Sequence, residues 1–372
     1  MLTDQYPSGW RDLKVILAHD WLTGMRGGER VLELFCNGFA DAEIYTLLHK
    51  RGAVSDAIER HTITTSSLQR LPRITEYYRY LLPFMPRAIE GMSPPPAELL
   101  ISTSHCVAKG LVTRPETRHI CYCFTPMRYA WTFYEEYFGE NRVKKALLNP
   151  MLARMRDWDM RASERVDRFV AISEHVRDRI QTYYGRESDI VYPPVDLDYY
   201  TPAQDSPQAD FDLIVSALVP YKKIDLAVRA YNSNGRTLKI VGVGTETESL
   251  RRIAAPNIEF LGWSSNEQIR ELYRNCRLLV FPGEEDFGLV PVEVQACGRP
   301  VVAFARGGAL ETIDAGRSGI FFEEQTEQSL NAAIEEASAI DWDPAQMRAS
   351  AERFGIPAFV IGMDSVIEKI LP

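Results

Sequence analysis

The sequence has no basic excess, no long apolar run and no framework of cysteines, and each absence removes a class of function. Its 42 Lys and Arg stand against 51 Asp and Glu, a net charge of −9. No surplus of cations exists to neutralise phosphates, which excludes nucleic acid as a partner. No stretch approaches the roughly 18 to 20 uninterrupted apolar residues of a membrane span. The six cysteines follow no regular spacing, which suits reduced thiols in the cytoplasm rather than a disulfide scaffold. The opening residues MLTDQYPSGWRDLK lack the charged, apolar and small-residue order of a signal peptide, so a cytoplasmic location is expected. His119, Cys121 and Cys123 alternate on one face of a strand, yet the spacing matches no standard zinc site, and no metal is expected. No repeat and no low-complexity segment is present.

What is present is an alternation of short apolar, β-branched runs with helical periods. At 372 residues the chain is about twice the usual domain length, so two domains are expected. Candidate strands in the first half are 14–20, 98–104, 118–124, 168–173 and 189–195. A second series follows at 212–218, 238–244, 258–262, 277–283, 300–305 and 319–322. Between them Tyr192-Pro193-Pro194-Val195 and the polar stretch TPAQDSPQAD (201–210) read as a boundary, because prolines break a ladder. The boundary is placed at 203/204. Charge divides unevenly: residues 1–200 are neutral in sum, and residues 201–372 hold the whole −9. The pattern is that of α/β proteins with two doubly wound parallel sheets, which bind ligands at the carboxyl ends of their strands.

At such a strand end lies PGEEDFGLVPVE (282–293), with four carboxylates around one glycine. Gly288 lets the backbone come close to a ligand, and the amides of Phe287, Gly288 and Leu289 sit where a helix begins, which favours anions. Glu293 falls within that helix, among apolar and small residues, and is expected to be semi-buried and in need of partners. Glu284 and Asp286 read as cap or loop charges.

These residues, with VSALVPYKKIDLAVRAY (215–231), LKIVGVG (238–244), EFLGW (259–263) and RGGALET (306–312), resemble the retaining glycosyltransferases of family four. Within that family HDWLTGMRGGERVLE (19–33), SHCVAKG (104–110), CYCFTPMRYAW (121–131) and YYGRESDIVYPPVD (183–196) resemble the mannosyltransferases of polysaccharide and O-antigen assembly. The resemblance implies a GT-B fold, with two facing Rossmann-like doubly wound domains and a cleft between them. Residues 1–203 would bind the acceptor and residues 204–345 the nucleotide sugar. The last helix, within 346–372, would pack back on the first domain.

The resemblance also implies roles. Glu285 and Glu293 are the two acids of the family's E-x7-E motif, one at the transferred sugar and one at the ribose. Lys222, with Lys223, meets the donor diphosphate, and the turn Phe287-Gly288-Leu289 presents amides to sugar and phosphate. Gly244 belongs to the donor side, and Trp263 stands where related enzymes hold the base. Gly27 and Gly28 form a loop near diphosphate and acceptor. The implied donor is GDP-mannose, the implied acceptor a saccharide or lipid-linked saccharide, and the reaction needs no metal. Two positions depart from the pattern. Ala217 replaces an arginine usual in the family, and Phe124 replaces a histidine that approaches the sugar. His105 and Arg128 are the nearby candidates to compensate. The departures leave open a non-catalytic protein that binds nucleotide sugars, and the fold leaves open a nucleotide-sugar epimerase.

The segments RITEYYRYLLPFMPRAIE (73–90) and 142–168, the latter with 8 basic against 4 acidic residues, mix aromatic, apolar and basic side chains. Such a surface suits the anionic inner face of a cell membrane and peripheral attachment there.

Overall fold

The computed structural model describes residues 6–131, 142–203 and 209–371, without the side chains of 142–148. The first five residues, half of the polar linker and the side chains of Arg142, Lys144 and Lys145 in the basic segment lie outside the described residues.

Two compact units result, Met1–Tyr192 with Phe359–Pro372, and Pro193–Ala358. The first holds seven parallel strands in the order β3-β2-β1-β4-β5-β6-β7. They are β1 (Val15–His19), β2 (Glu43–Thr46), β3 (Ile63–Thr65), β4 (Leu99–Ser104), β5 (Arg118–Cys123), β6 (Arg168–Ala171) and β7 (Ser188–Ile190). The central strands β1 and β4 are buried along their whole length, as expected of parallel strands covered on both faces. The second unit holds six parallel strands in the order β10-β9-β8-β11-β12-β13. They are β8 (Asp212–Val215), β9 (Leu238–Val241), β10 (Ile258–Gly262), β11 (Leu279–Phe281), β12 (Val301–Phe304) and β13 (Gly319–Phe322).

Each sheet reverses its winding once, beside β1 and beside β8. The crevices at the carboxyl ends of β1/β4 and of β8/β11 are therefore the positions where such folds hold ligands.

The division between the units differs from the linker placement. Val195 N–H donates to Phe354 O at 2.8 Å, and the Arg348 guanidinium donates to the carbonyls of Leu197, Tyr200 and Ala296. These bonds tie residues 195–200, and the helix Pro344–Glu352 with them, to the second unit. The break accordingly falls at Tyr192/Pro193, and the return at Ala358/Phe359. Past that point the helix Ile356–Glu368 joins the first core. Phe359 packs on Phe35 and Tyr122, and Asp364 accepts from the Trp10 indole at 2.8 Å.

Among the described residues no helix is long and apolar enough to cross a membrane. No group of three or more His, Cys, Asp or Glu there could hold a metal ion. His119 instead faces Ser102 Oγ at 2.8 Å, and burial pushes its pKa down to about 3.

Candidate functional site

In the second unit the crevice is built by two loops that glycine allows to touch. After β8 the chain runs through Ser216 and Ala217 into the short 3-10 turn Pro220–Lys222, and Lys223 adopts a left-handed conformation (φ 54°) before the helix Ile224–Asn234. A non-glycine residue in that region is strained, and such strain gathers at functional sites. After β11 comes Pro282-Gly283-Glu284-Glu285. A Cβ on Gly283 would lie 2.9 Å from the Lys222 Cα, so only glycine lets the loops pass. The approach brings the Lys222 ammonium onto Oε1 of Glu285 in an ion pair, with 13% and 19% of the two side chains exposed. Ser216, Lys222, Gly283 and Glu285 line one small cavity.

The RGG turn fixes Glu285 from the other side. Gly308 N–H donates to Glu285 O at 2.8 Å, and a Cβ on Gly308 would stand 2.3 Å from the Phe287 Cα. The helix Leu289–Ala296 then opens at Gly288 (φ 96°) with Leu289 as its first residue. Because Gly288 itself caps the helix, the carboxylate caps expected from Glu284 and Asp286 give way to a glycine cap. Asp286 is buried.

Glu293 is more buried than its sequence suggested, at 7% exposure. Its Oε2 accepts from Tyr273 OH at 2.8 Å. Tyr273 belongs to the helix Asn266–Asn275, and its phenol is pushed up by burial and then by the Glu293 charge. The two acids therefore have different fixtures, Lys222 for one and Tyr273 for the other. Gly244 packs against the β8 loop, where a Cβ would meet Leu218 O at 2.1 Å, and its N–H donates to Thr247 Oγ1. Ala217 is exposed in the loop after β8.

Trp263 is set apart. Its side chain is 79% exposed, which rules out core packing. It lines a cavity of about 470 Å³ with Phe211, Lys239, Gln268 and Glu271, none of which touches the Lys222–Glu285 cavity.

The first unit gathers its polar groups at the β1/β4 crevice. Asp20 follows β1 and is fully buried. Its carboxylate accepts from the N–H groups of His105, Cys106, Val107 and Ala108 at 2.7 to 3.0 Å. His105 follows β4 and sets Nδ1 3.0 Å from Asp20 Oδ2. Burial would raise the Asp20 carboxyl, but His105, through ring and backbone, holds it well below the usual range. With Nδ1–H directed at Asp20, His105 keeps Nε2 for other partners, and its side chain is 32% exposed.

Gly27 and Gly28 begin the helix Gly27–Gly38. A Cβ on Gly28 would lie 3.2 Å from the Phe124 ring and 3.5 Å from His19. His19 Nε2 stands 3.8 Å from the buried Glu29, whose other oxygen accepts from Arg26 N–H. Burial raises the Glu29 carboxyl, and His19 together with a backbone N–H and the Arg26 charge more than offsets it, so the group lies below its ordinary value. Arg128 opens the short helix Arg128–Trp131, half-buried, four residues after Phe124. Sequence reasoning passed over Asp20, His19, Glu29 and Tyr273. The signal for Asp20 was its place directly after a buried strand, inside a motif already noted for its glycines.

Residues 206–354 match the family described as Glycosyl transferases group 1, and residues 25–199 match Glycosyltransferase Family 4. A D-inositol 3-phosphate glycosyltransferase of Mycolicibacterium smegmatis is 31% identical over 214 residues, which is 51% of this chain and 49% of that one. An uncharacterized glycosyltransferase of Methanocaldococcus jannaschii is 27% identical over 178 residues, 46% of this chain and 50% of that one. The chain thus spans about half the length of the curated relatives it matches. Among solved structures, sucrose-phosphate synthase from Thermosynechococcus elongatus has a TM-score of 0.70 at 17% identity, covering 96% of this chain and 99% of that one. Anabaena HepE in complex with UDP has a TM-score of 0.68 at 16% identity, covering 96% and 100%. These likenesses establish the fold as GT-B, with two Rossmann-like parallel-sheet domains.

Proposed function

We propose that the chain, whose residues 206–354 and 25–199 match the group 1 and family 4 glycosyltransferases, transfers a hexosyl group from a nucleoside-diphosphate sugar to a saccharide or lipid-linked saccharide. The donor is GDP-mannose, the anomeric configuration is retained, and the product belongs to polysaccharide or O-antigen assembly. The observation that carries this reading is the Lys222–Glu285 pair at the β8/β11 crevice, beside the helix start at Gly288.

Cleavage of a sugar–phosphate bond separates charge, leaving a cationic, oxocarbenium-like sugar and an anionic diphosphate. Lys222, Lys223 and the amides around Leu289 serve the diphosphate, and Glu285 serves the sugar. The acceptor hydroxyl attacks on the face that the diphosphate leaves. The new C–O bond forms as the anomeric C–O bond to phosphate breaks, and the hydroxyl proton passes to the departing phosphate oxygen. Glu293, fixed by Tyr273, receives the ribose hydroxyls. With lysines in this role the reaction proceeds without a divalent metal. The mannosyl assignment rests on the motifs of the first half. UDP, present in the Anabaena HepE complex, marks uridine donors as the competing choice.

Thermal-shift screening of GDP-mannose, UDP-glucose and other nucleotide sugars identifies the donor. Release of nucleoside diphosphate in EDTA and the anomeric proton of the product then test transfer and retention. A panel in which no nucleotide sugar raises the melting temperature would sink the reading. A second reading, a non-catalytic nucleotide-sugar binder, draws on Ala217 and on Phe124 over Gly28. It gives a thermal shift without turnover for any donor and acceptor.

A further inference from the structure

Between Ser67 and Glu90 the first unit carries a helical arm made of short consecutive pieces, Ser67–Arg70, Ile74–Tyr77, Tyr78–Phe84 and Met85–Glu90. Its inner side is ordinary. Ile74, Tyr78, Leu82, Met85, Ala88 and Ile89 are buried in the core cluster that also holds Ile16 and Leu100. The outer side is not. Tyr80 is 85% exposed, Phe84 60% and Leu71 40%, three of the ten exposed large apolar side chains among the described residues. Tyr80, Pro83, Phe84 and Arg87 are all exposed and recur at i, i+3, i+4 and i+7, the spacing of one helical face. The arm is apolar on both sides, although among the described residues only its inner side is buried against the core.

Charge singles out what the outer side meets. Its exposed ionic residues are Arg70, Arg73, Arg79 and Arg87 against Glu76 alone, and Glu76 is paired with Arg73. No carboxylate pairs with Arg70, Arg79 or Arg87 among the described residues. On a chain of net charge −9 this is a local cationic patch with aromatic side chains in its middle. Aromatic rings and long arginine stems enter the interfacial layer of a bilayer, while guanidinium groups meet lipid phosphates. The basic helix Arg142–Glu164, by contrast, leaves only Arg154 of its described arginines exposed and unpaired. Arg156 donates to Ala130 O, Arg161 pairs with Asp157, and Arg165, just beyond it, pairs with Glu90.

We infer that the arm 70–87 docks the protein on an anionic lipid surface through Leu71, Tyr80 and Phe84, with Arg70, Arg79 and Arg87 on the headgroups. The inference does not rest on the transfer reaction, since docking needs neither donor nor acceptor.

The test is co-sedimentation of the whole chain with vesicles of phosphatidylcholine alone and with about one third phosphatidylglycerol. The protein is expected to pellet only with the anionic vesicles, and less as salt shortens the Debye length. Arg79→Glu with Arg87→Glu should weaken partitioning at least fivefold for each arginine, and Tyr80→Ser with Phe84→Ser about tenfold. All four side chains are exposed, so unchanged circular dichroism is expected. Single variants replace a double variant that does not fold. Absence of wild-type binding at low salt overturns the inference, as does binding that the variants leave unchanged. A wild-type dimer that Tyr80→Ser with Phe84→Ser dissociates also overturns it, since the patch would then join two copies of the chain.

Discussion

Replacing Glu285 by Gln removes one charge and almost no volume, and so isolates the electrostatic part of the site. Lys222 then keeps a hydrogen-bonding neighbour but loses the charge of Glu285 in a position only 13% exposed. Full burial of an unpaired charge costs about 3–5 kcal/mol, and the residual water contact here lowers that to about 2–3 kcal/mol. At roughly 2–4 °C per kcal/mol for a unit of this size, the unfolding transition of the second unit should fall by roughly 4–12 °C. The effect on turnover should be larger. A preorganised charge at the reacting centre contributes about 10²–10³ in rate, or about 3–4 kcal/mol. The assay is nucleoside diphosphate release with the donor found by thermal shift, read beside calorimetric melting. Lys222→Met with Glu285→Gln supplies the control. Removing both charges should restore much of the melting temperature and none of the rate, because the diphosphate cation is lost as well. Turnover of Glu285→Gln within about threefold of wild type would refute the role given to this carboxylate.

Three further outcomes follow from other contacts. Gly308→Ala forces a Cβ onto the Phe287 backbone, so it should shift the Glu285 loop, costing about 2 kcal/mol or more and most turnover; wild-type kinetics would show the RGG turn to be a passive linker. Ala217→Arg adds an exposed cation at the crevice mouth and should tighten donor binding about three- to tenfold in calorimetry at low salt, with an unchanged Kd counting against a diphosphate at that loop. His119 is held neutral by burial, with its pKa depressed to about 3 from an ordinary 6.5. Between those values the unfolded chain binds the extra proton, so stability is full above about pH 6.5 and declines as pH falls towards 3. His119→Gln should flatten the slope of first-unit stability by up to about 1.4 kcal/mol per pH unit in that window. Urea melts at pH 4.5 and 6.5 that respond equally to pH in both proteins would contradict the assignment.

Most of the sheet architecture was legible because buried parallel strands write themselves as unbroken apolar runs. VILAH is such a run up to its last residue, whereas LLISTS is one only over Leu99–Ile101 and continues into the buried Ser102, Thr103 and Ser104. The strands Glu43–Thr46 and Ile63–Thr65 were not foreseen, since four and three residues are too few to display a period. The boundary misplacement has a similar origin. Composition marks the polar stretch 201–210, but Arg348 decides the matter from nearly 150 residues away. At the crevice Glu285 could be singled out locally, by carboxylates next to a glycine at a strand end. Its contact with Lys222 could not, because it depends on the missing side chain of Gly283. Asp20 and His105 lie 85 residues apart, and only the adjacency of β1 and β4 makes them partners. Tyr273 lies on the amphipathic helix Asn266–Asn275, twenty residues before Glu293, and nothing in its local sequence marks its hydroxyl as reaching that carboxylate.

The helix Ile356–Glu368 has a consequence for how the protein is made. Phe359 fills a place between Phe35 and Tyr122, yet the ribosome produces it only after the whole of Pro193–Ala358. At bacterial or eukaryotic elongation rates that interval is roughly ten to thirty seconds. During that time the early sheet has its strands but lacks the apolar plug and the Trp10–Asp364 bond that complete it. The nascent first unit therefore keeps the Phe35 and Tyr122 face of its core uncovered until residues 356–368 arrive, and an expression fragment stopping near Tyr192 would be left permanently in that state.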